Sequence, residues 1–171
     1  MESGQVILAP QALADHHVLG AFECSEPSLD DWLKRRVTAN QSSGSSRTYV
    51  VCVGDAVIGY YCLAAGALGH ANAPGALRRN RPDPIPVMVL GRLAVHKEHH
   101  QAGLGTALLR DALRRTLRAA EIAGIAALLV HALSEDAKRF YRSCGLIDSP
   151  IKPMTLCLIL ESARKVLREG S

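Results

Sequence analysis

Leu93-Ala94-Val95-His96-Lys97-Glu98-His99-His100-Gln101-Ala102-Gly103-Leu104-Gly105-Thr106-Ala107-Leu108-Leu109 decides the fold. It reads as a strand ending at Val95, a polar turn over His96–Gly103, and a helix opening near Gly105. The first N–H groups of a helix have no intrahelical acceptor, and the helix dipole adds positive potential there. Such a start binds a pyrophosphate without a charged side chain. Gly103 and Gly105 let the phosphates come close to the backbone. Taken alone, G-x-G is equally an ordinary strand-to-helix turn. A dinucleotide-binding reading fails because the six-residue glycine pattern is incomplete and no acidic residue closes a following strand. A P-loop fails because no G-K-[ST] is present. His96, His99 and His100 with Glu98 read as a solvated turn, with no metal site.

Upstream, Ile85–Val95 is the strongest strand, interrupted by Gly91, which suggests a bulge or a close backbone approach. Downstream, 104–122 is the best helix. Leu104, Leu108 and Ala112 with Leu109, Leu113, Leu117 and Ala120 form its buried stripe. Arg110, Arg114 and Arg118 share its solvated face, and Gly124 ends it. Ala126–His131 is a strand. Ser134 then caps a short helix running through Tyr141, with Gly145 as terminator. Thr155–Leu160 is a last strand before a basic tail. Toward the N-terminus, Tyr49–Val53 and Val57–Ala65 form a hairpin around Gly54-Asp55. A helix capped by Ser28 runs to about Asn40, burying Leu29, Trp32, Leu33 and Val37, so Trp32 is core or partner-facing. Val6–Ala9 is an edge strand, 41–46 is loop, and Ala67–Pro84 is mostly loop with a basic run, Arg78-Arg79-Asn80-Arg81. The class is α+β (mixed α/β), with a strand, Gly-turn, helix, strand unit at its centre.

The 171 residues suit a single domain, 1–171, able to bury a core without disulfide or metal staples. Hydrophobic residues at 48% and charged residues at 21% exclude a disordered chain. Aromatics at 4% make the core aliphatic and disfavour base-stacking platforms. The net charge of +4 permits a polyanionic partner. Five cysteines without CxxC spacing read as reduced apolar residues in a cytoplasmic protein, not as a disulfide framework or zinc site. No signal peptide and no membrane span are expected.

The stretch His100-Gln101-Ala102-Gly103-Leu104-Gly105 resembles the pyrophosphate loop [RQ]-x-x-G-x-[GA] of the GNAT acyl-CoA N-acetyltransferases, with His at the first position. Leu29-Asp-Asp-Trp-Leu, Arg47-Thr-Tyr-Val-Val, Leu77-Arg-Arg-Asn-Arg-Pro-Asp-Pro-Ile-Pro-Val, Leu90-Gly-Arg-Leu-Ala-Val and Ala137-Lys-Arg-Phe-Tyr look like the GNAT toxins of bacterial type II toxin–antitoxin systems. The resemblance implies a GNAT fold: a mostly antiparallel central sheet with splayed central strands, flanked by helices. It implies acetyl-CoA as co-substrate and the free α-amine of an aminoacyl-tRNA as acceptor, so that translation is blocked. It further implies neutralisation by a ribbon-helix-helix antitoxin, operator DNA as a target of that complex, a homodimer, and no membrane.

By the same resemblance, Leu93, Ala94 and Val95 pair with the pantetheine arm and hold the acetyl carbonyl, as an oxyanion-type donor set. His100, Gln101, Ala102, Gly103, Leu104, Gly105 and Thr106 hold the pyrophosphate. Ser134 reaches coenzyme A, although capping alone explains it equally well. Tyr141 matches the catalytic tyrosine. A phenol ionises near pH 10, so it is a proton donor at neutral pH for the leaving sulfur. An α-amine beside an ester has a lowered pKa and needs no strong base, which leaves Glu135 and Asp136 as dipole partners of the helix start. Cys144 has no role if transfer is direct. Arg35 and Arg36 beside Lys34, with Arg47, Arg78, Arg79 and Arg81, supply a basic surface for tRNA phosphates. The competing expectations are a GNAT enzyme for a small amine or protein N-terminus, and a non-catalytic module that binds a partner or operator DNA.

Overall fold

The structure is a computed structural model that describes residues 7–36, 44, 46–100 and 103–169. The side chains of residues 36 and 165–169 lie outside that description. Seven strands form one mixed sheet: β1 (Gln11–Ala12), β2 (Arg47–Val53), β3 (Ala56–Leu68), β4 (Ile85–Val95), β5 (Ala127–His131), β6 (Ile147–Asp148) and β7 (Thr155–Ile159). Their order is β1-β2-β3-β4-β5-β7-β6. Among the described residues five helices flank it: α1 (Pro27–Asp31), α2 (Gly75–Arg78), α3 (Leu104–Ala120), α4 (Glu135–Ser143) and α5 (Leu160–Glu169). The chain divides into two compact units, 1–64 with 92–112, and 65–91 with 113–171.

In the first unit the hairpin β2–β3 pairs antiparallel from Arg47↔Leu63 to Val53↔Ala56, with the turn at Gly54 in left-handed conformation. Alternation along the strands gives this unit two faces. Val50, Cys52, Tyr60, Cys62 and Ala94 bury with Phe22, Leu29, Trp32 and Leu33 in one cluster. The opposite face receives the first half of α3. A Cβ on Gly59 would lie 2.8 Å from Val51 Cγ1 and 3.1 Å from Leu108 Cδ1, so only glycine lets that helix come so close. The Tyr61 hydroxyl, on the same face, donates to Asp111 of α3.

In the second unit, parallel β4–β5 pairing covers Val87↔Ala127 to Leu90↔Val130, and β5–β7 is antiparallel from Ala127↔Ile159 to His131↔Thr155. Leu68, Leu77, Ile85, Val87, Ala127, Leu129 and Cys157 form its core. The β4–β5 register ends just before Gly91, and β4 continues through Val95. The strand itself runs unbroken through Gly91, so the interruption expected there does not occur.

Other boundaries differ for local reasons. Pro27 takes the first position of α1, so Glu26 and not Ser28 is its N-cap, and Ser28 Oγ instead donates to Glu26 Oε1 at 3.3 Å. The helix widens into a π-helical turn at Trp32–Arg36; Val37 to Asn40 lie outside the described residues. Instead of an edge strand at Val6–Ala9, Ile7 makes a single bridge to Val53; Val6 is outside the description. Helix α3 stops at Ala120, leaving Ile122 exposed at 93%. The loop before β4 contains α2, and the tail after β7 is α5, which buries Leu160 and Ala163. No helix among the described residues is long and apolar enough to cross a membrane.

Candidate active site

Within the first unit the chain passes from β4 through a 3₁₀ turn (Lys97–His99) to α3. Imidazoles organise that turn. The Glu98 N–H donates to His96 Nδ1 at 3.2 Å, which puts the ring proton on Nε2, 3.1 Å from the Ala21 carbonyl. His100 Nε2 lies 2.7 Å from the Val95 carbonyl and donates to it. The residue that departs from the family pattern thus straps the turn back to the strand that precedes it. Gln101 and Ala102 lie outside the described residues. Gly103 has φ +76°, and a Cβ there would meet nothing within 4 Å. Its requirement for glycine is conformational, and the space beside it is open to a ligand. The Gly103 carbonyl accepts from the Ala107 N–H at 3.2 Å, which starts the helix. The N–H groups of Leu104, Gly105 and Thr106 then have no intrahelical acceptor. Leu104 and Gly105 are half-buried and Thr106 is exposed.

Backbone alternation sorts Leu93, Ala94 and Val95. The His96 N–H donates to Ile58 of β3 at 2.7 Å. The polar groups of Ala94, two residues earlier, therefore point to β3, and those of Leu93 and Val95 point to the opposite edge. With the Val95 carbonyl held by His100, the Val95 N–H and the Leu93 backbone pair are what β4 offers a ligand.

In the second unit, Ser134 caps α4: the Ala137 N–H donates to its Oγ at 3.1 Å. Gly145 ends the helix at φ +98°. Tyr141 lies near the end of α4, 7% exposed, with its ring 5.3 Å from that of Phe140. Sequence reading missed how α4 is tied to β6. Asp148 accepts from Arg142 Nε at 3.0 Å and pairs with the Lys138 ammonium at 3.7 Å. The Arg142 guanidinium and, less strongly, Lys138 hold the Asp148 carboxyl below its usual value. Burial pushes the half-buried Cys144 thiol up, which keeps it protonated and a poor nucleophile.

The expected basic side chains are spread over three places. Arg35 is exposed on the π-helical turn, while the side chain of Arg36 is outside the description. Arg47 opens β2 and is exposed. Arg78 ends α2 and Arg79 follows it, both exposed, whereas Arg81 is half-buried with an Nε that has no acceptor among the described residues. This loop is knit by His70. Its Nε2 faces the carbonyls of Arg81 at 3.2 Å and Pro82 at 2.8 Å, and its backbone N–H donates to Asp83 Oδ1 at 3.0 Å. A lone histidine in a Gly/Asn/Pro loop gives no sequence signal for that role.

Residues 44–145 match the family model described as the acetyltransferase (GNAT) domain. The chain is 45% identical over 159 residues to the tRNA-acetylating toxin of Mycobacterium tuberculosis, covering 93% of this chain and 96% of that protein. Among solved structures it resembles AtaT complexed with acetyl-methionyl-tRNAfMet, with TM-score 0.88, 26% identity, and coverage of 95% of this chain and 99% of that one. It also resembles a tyrosine-to-phenylalanine mutant of AtaT bound to the C-terminus of the antitoxin AtaR and acetyl-CoA. There the TM-score is 0.81 at 26% identity, covering 94% of this chain and 98% of that one.

Proposed function

The chain belongs to the acetyltransferase (GNAT) family, and from that premise we propose that it is a toxin acting as one catalytic domain, residues 1–171. It transfers acetyl from acetyl-CoA to the free α-amine of an aminoacyl-tRNA and so blocks translation. The observation that carries the enzyme class is the open, left-handed Gly103 turn between β4 and α3. The acceptor class is supported by the near full-length likeness to a tRNA-acetylating toxin.

The residues of the turn fit an acetyl-CoA pyrophosphate, since Gly103 leaves room and Leu104, Gly105 and Thr106 present N–H groups at the positive end of α3. His100, Gln101 and Ala102 complete that loop. Leu93 and Val95 pair with the pantetheine arm, and the Val95 N–H supports the acetyl carbonyl as charge builds on its oxygen. Ala94 serves by packing, because its own polar groups face β3. The neutral amine attacks the carbonyl carbon, the carbon–sulfur bond breaks, Tyr141 gives its hydroxyl proton to the departing thiolate, and the proton shed by the new amide nitrogen passes through solvent to restore the phenol. Ser134 fixes the start of the helix that carries Tyr141. Arg35, Arg36, Arg47, Arg78, Arg79 and Arg81 hold tRNA phosphates, so affinity falls as salt rises. An antitoxin of ribbon-helix-helix type neutralises the enzyme in a complex that binds operator DNA. The enzyme is a homodimer that works in the cytoplasm, where charged tRNA is found.

Mass spectrometry of charged tRNA incubated with the protein and acetyl-CoA tests this reading. Acetylated aminoacyl-tRNA and arrested cell-free translation are expected. Unmodified pools under conditions where acetyl-CoA is bound would sink it.

A further inference from the structure

Arg92 lies in the Leu90-Gly-Arg-Leu-Ala-Val stretch and has no part in the roles assigned above. Side chains alternate along β4. Ala94 packs in the cluster of Trp32 and Tyr60, so Arg92, two residues earlier, points to that same face. Its guanidinium carbon sits 4.6 Å from the centroid of the Trp32 ring. The platform beneath it is rigid. Trp32 is 4% exposed and stacks on Tyr60 with centroids 5.7 Å apart at 9°, and the Tyr60 hydroxyl donates to the Leu29 carbonyl at 2.7 Å.

A cation over an indole face is attracted by the ring quadrupole. That holds the guanidinium over the ring but engages none of its five N–H donors. Among the described residues Arg92 has no carboxylate partner and no hydrogen-bond acceptor. A half-buried, oriented guanidinium without an anion is complementary to phosphate, which it takes in a two-pronged fashion. The face decides whose phosphate. Helix α3, whose N-terminus is assigned to the coenzyme pyrophosphate, packs on the other side of this unit's sheet, against Val51 and Gly59. The acceptor's amine must reach the acetyl group beside Leu93 and Val95, one and three residues from Arg92 at about 3.3 Å each.

We infer that Arg92, held over the Trp32 ring, binds a backbone phosphate in the single-stranded 3′ end of the charged tRNA. This rests on the acceptor class proposed above. Arg92 binds and orients the acceptor and takes no part in proton transfer.

The test uses the full chain with Arg92→Gln and Arg92→Lys. Steady-state acetylation is measured on charged tRNA and on aminoacyl-adenosine, which carries the same amine and ribose but no phosphate. Glutamine keeps a planar amide over Trp32, and near-ultraviolet circular dichroism checks that the aromatic stack survives. Arg92→Gln should raise KM for charged tRNA about tenfold, as expected for a lost charge-assisted phosphate contact. It should leave kcat, KM for acetyl-CoA and the reaction with aminoacyl-adenosine unchanged. The salt slope of tRNA affinity should fall by about 0.7, the share of one single-strand phosphate. Arg92→Lys should recover part of the loss. An unchanged KM for tRNA, an equal loss on both acceptors, or a raised KM for acetyl-CoA each overturns the assignment. If the wild-type protein does not acetylate charged tRNA, the functional reading falls and this inference with it. If the wild type is active and the variants are indistinguishable from it, only the inference falls.

Discussion

The turn at the end of β4 and the helix α4 solve two different problems with different materials. The turn is made of backbone: a left-handed Gly103, the free N–H groups of a helix start, and the Leu93 and Val95 peptide groups at an open strand edge. Its side chains act locally, as when His100 ties the turn to the Val95 carbonyl. Helix α4 is made of side chains: a Ser134 cap, a phenol at position 141, and Lys138 and Arg142 anchored on Asp148. A backbone site tolerates exchange of side chains as long as its dihedral angles survive. A side-chain site keeps its dihedral angles and loses its chemistry with a single atom.

The sharpest break of that comparison is Tyr141→Phe. Removing one oxygen from α4 should lower kcat about 10²–10⁴-fold, the usual worth of a general acid, with acetyl-CoA affinity unchanged by calorimetry. An active variant would show that the leaving sulfur takes its proton elsewhere. In the turn, the Cβ of Gly103→Ala meets nothing within 4 Å, so its cost is the left-handed conformation alone, about 1–2 kcal/mol. It should weaken acetyl-CoA binding about tenfold while kcat at saturating coenzyme stays near wild type. Gly103→Asn should cost much less, because asparagine tolerates that region.

Ser134→Ala separates two explanations that coincide at one residue. Loss of the cap alone should destabilise the protein by about 1 kcal/mol, read as a lower Tm, with acetyl-CoA affinity intact. A further drop in affinity would mean that the hydroxyl also reaches coenzyme A.

Both regions were legible in the sequence to the extent that their determinants are local. Strand β4 is bounded as its apolar run suggests, and α4 is bracketed by Ser134 and Gly145, each a local signal. The α1 start was misread because Pro27, lacking an N–H and fixed in φ, outcompetes Ser28 for the first turn. The basic tail hid Leu160 and Ala163, which share a helical face and bury. His70, Arg92 and Asp148 were not legible, since their partners lie in other elements and no spacing rule connects them. The direction of the β4 peptide groups also depends on a bond to Ile58, 38 residues earlier, and sequence alone treated Ala94 like its neighbours.

Asp148 offers the smallest and most discriminating effect. Its pair with Arg142 is half exposed and screened, whereas the Lys138 side chain it also faces is only 10% exposed. Asp148→Asn should lower Tm at pH 7 by less than Ser134→Ala does. The folded-state carboxyl is held below its ordinary value, so its contribution is complete above the unfolded value near 4 and is lost as pH falls through the lowered folded value. Wild type and variant should therefore differ at pH 7 and converge in strong acid, as followed by melting curves across pH. A difference that persists undiminished at low pH would mean that packing of β6 against α4, and not the charge of Asp148, is what holds the helix. In that case the side-chain account of α4 would apply to Ser134 and Tyr141 alone.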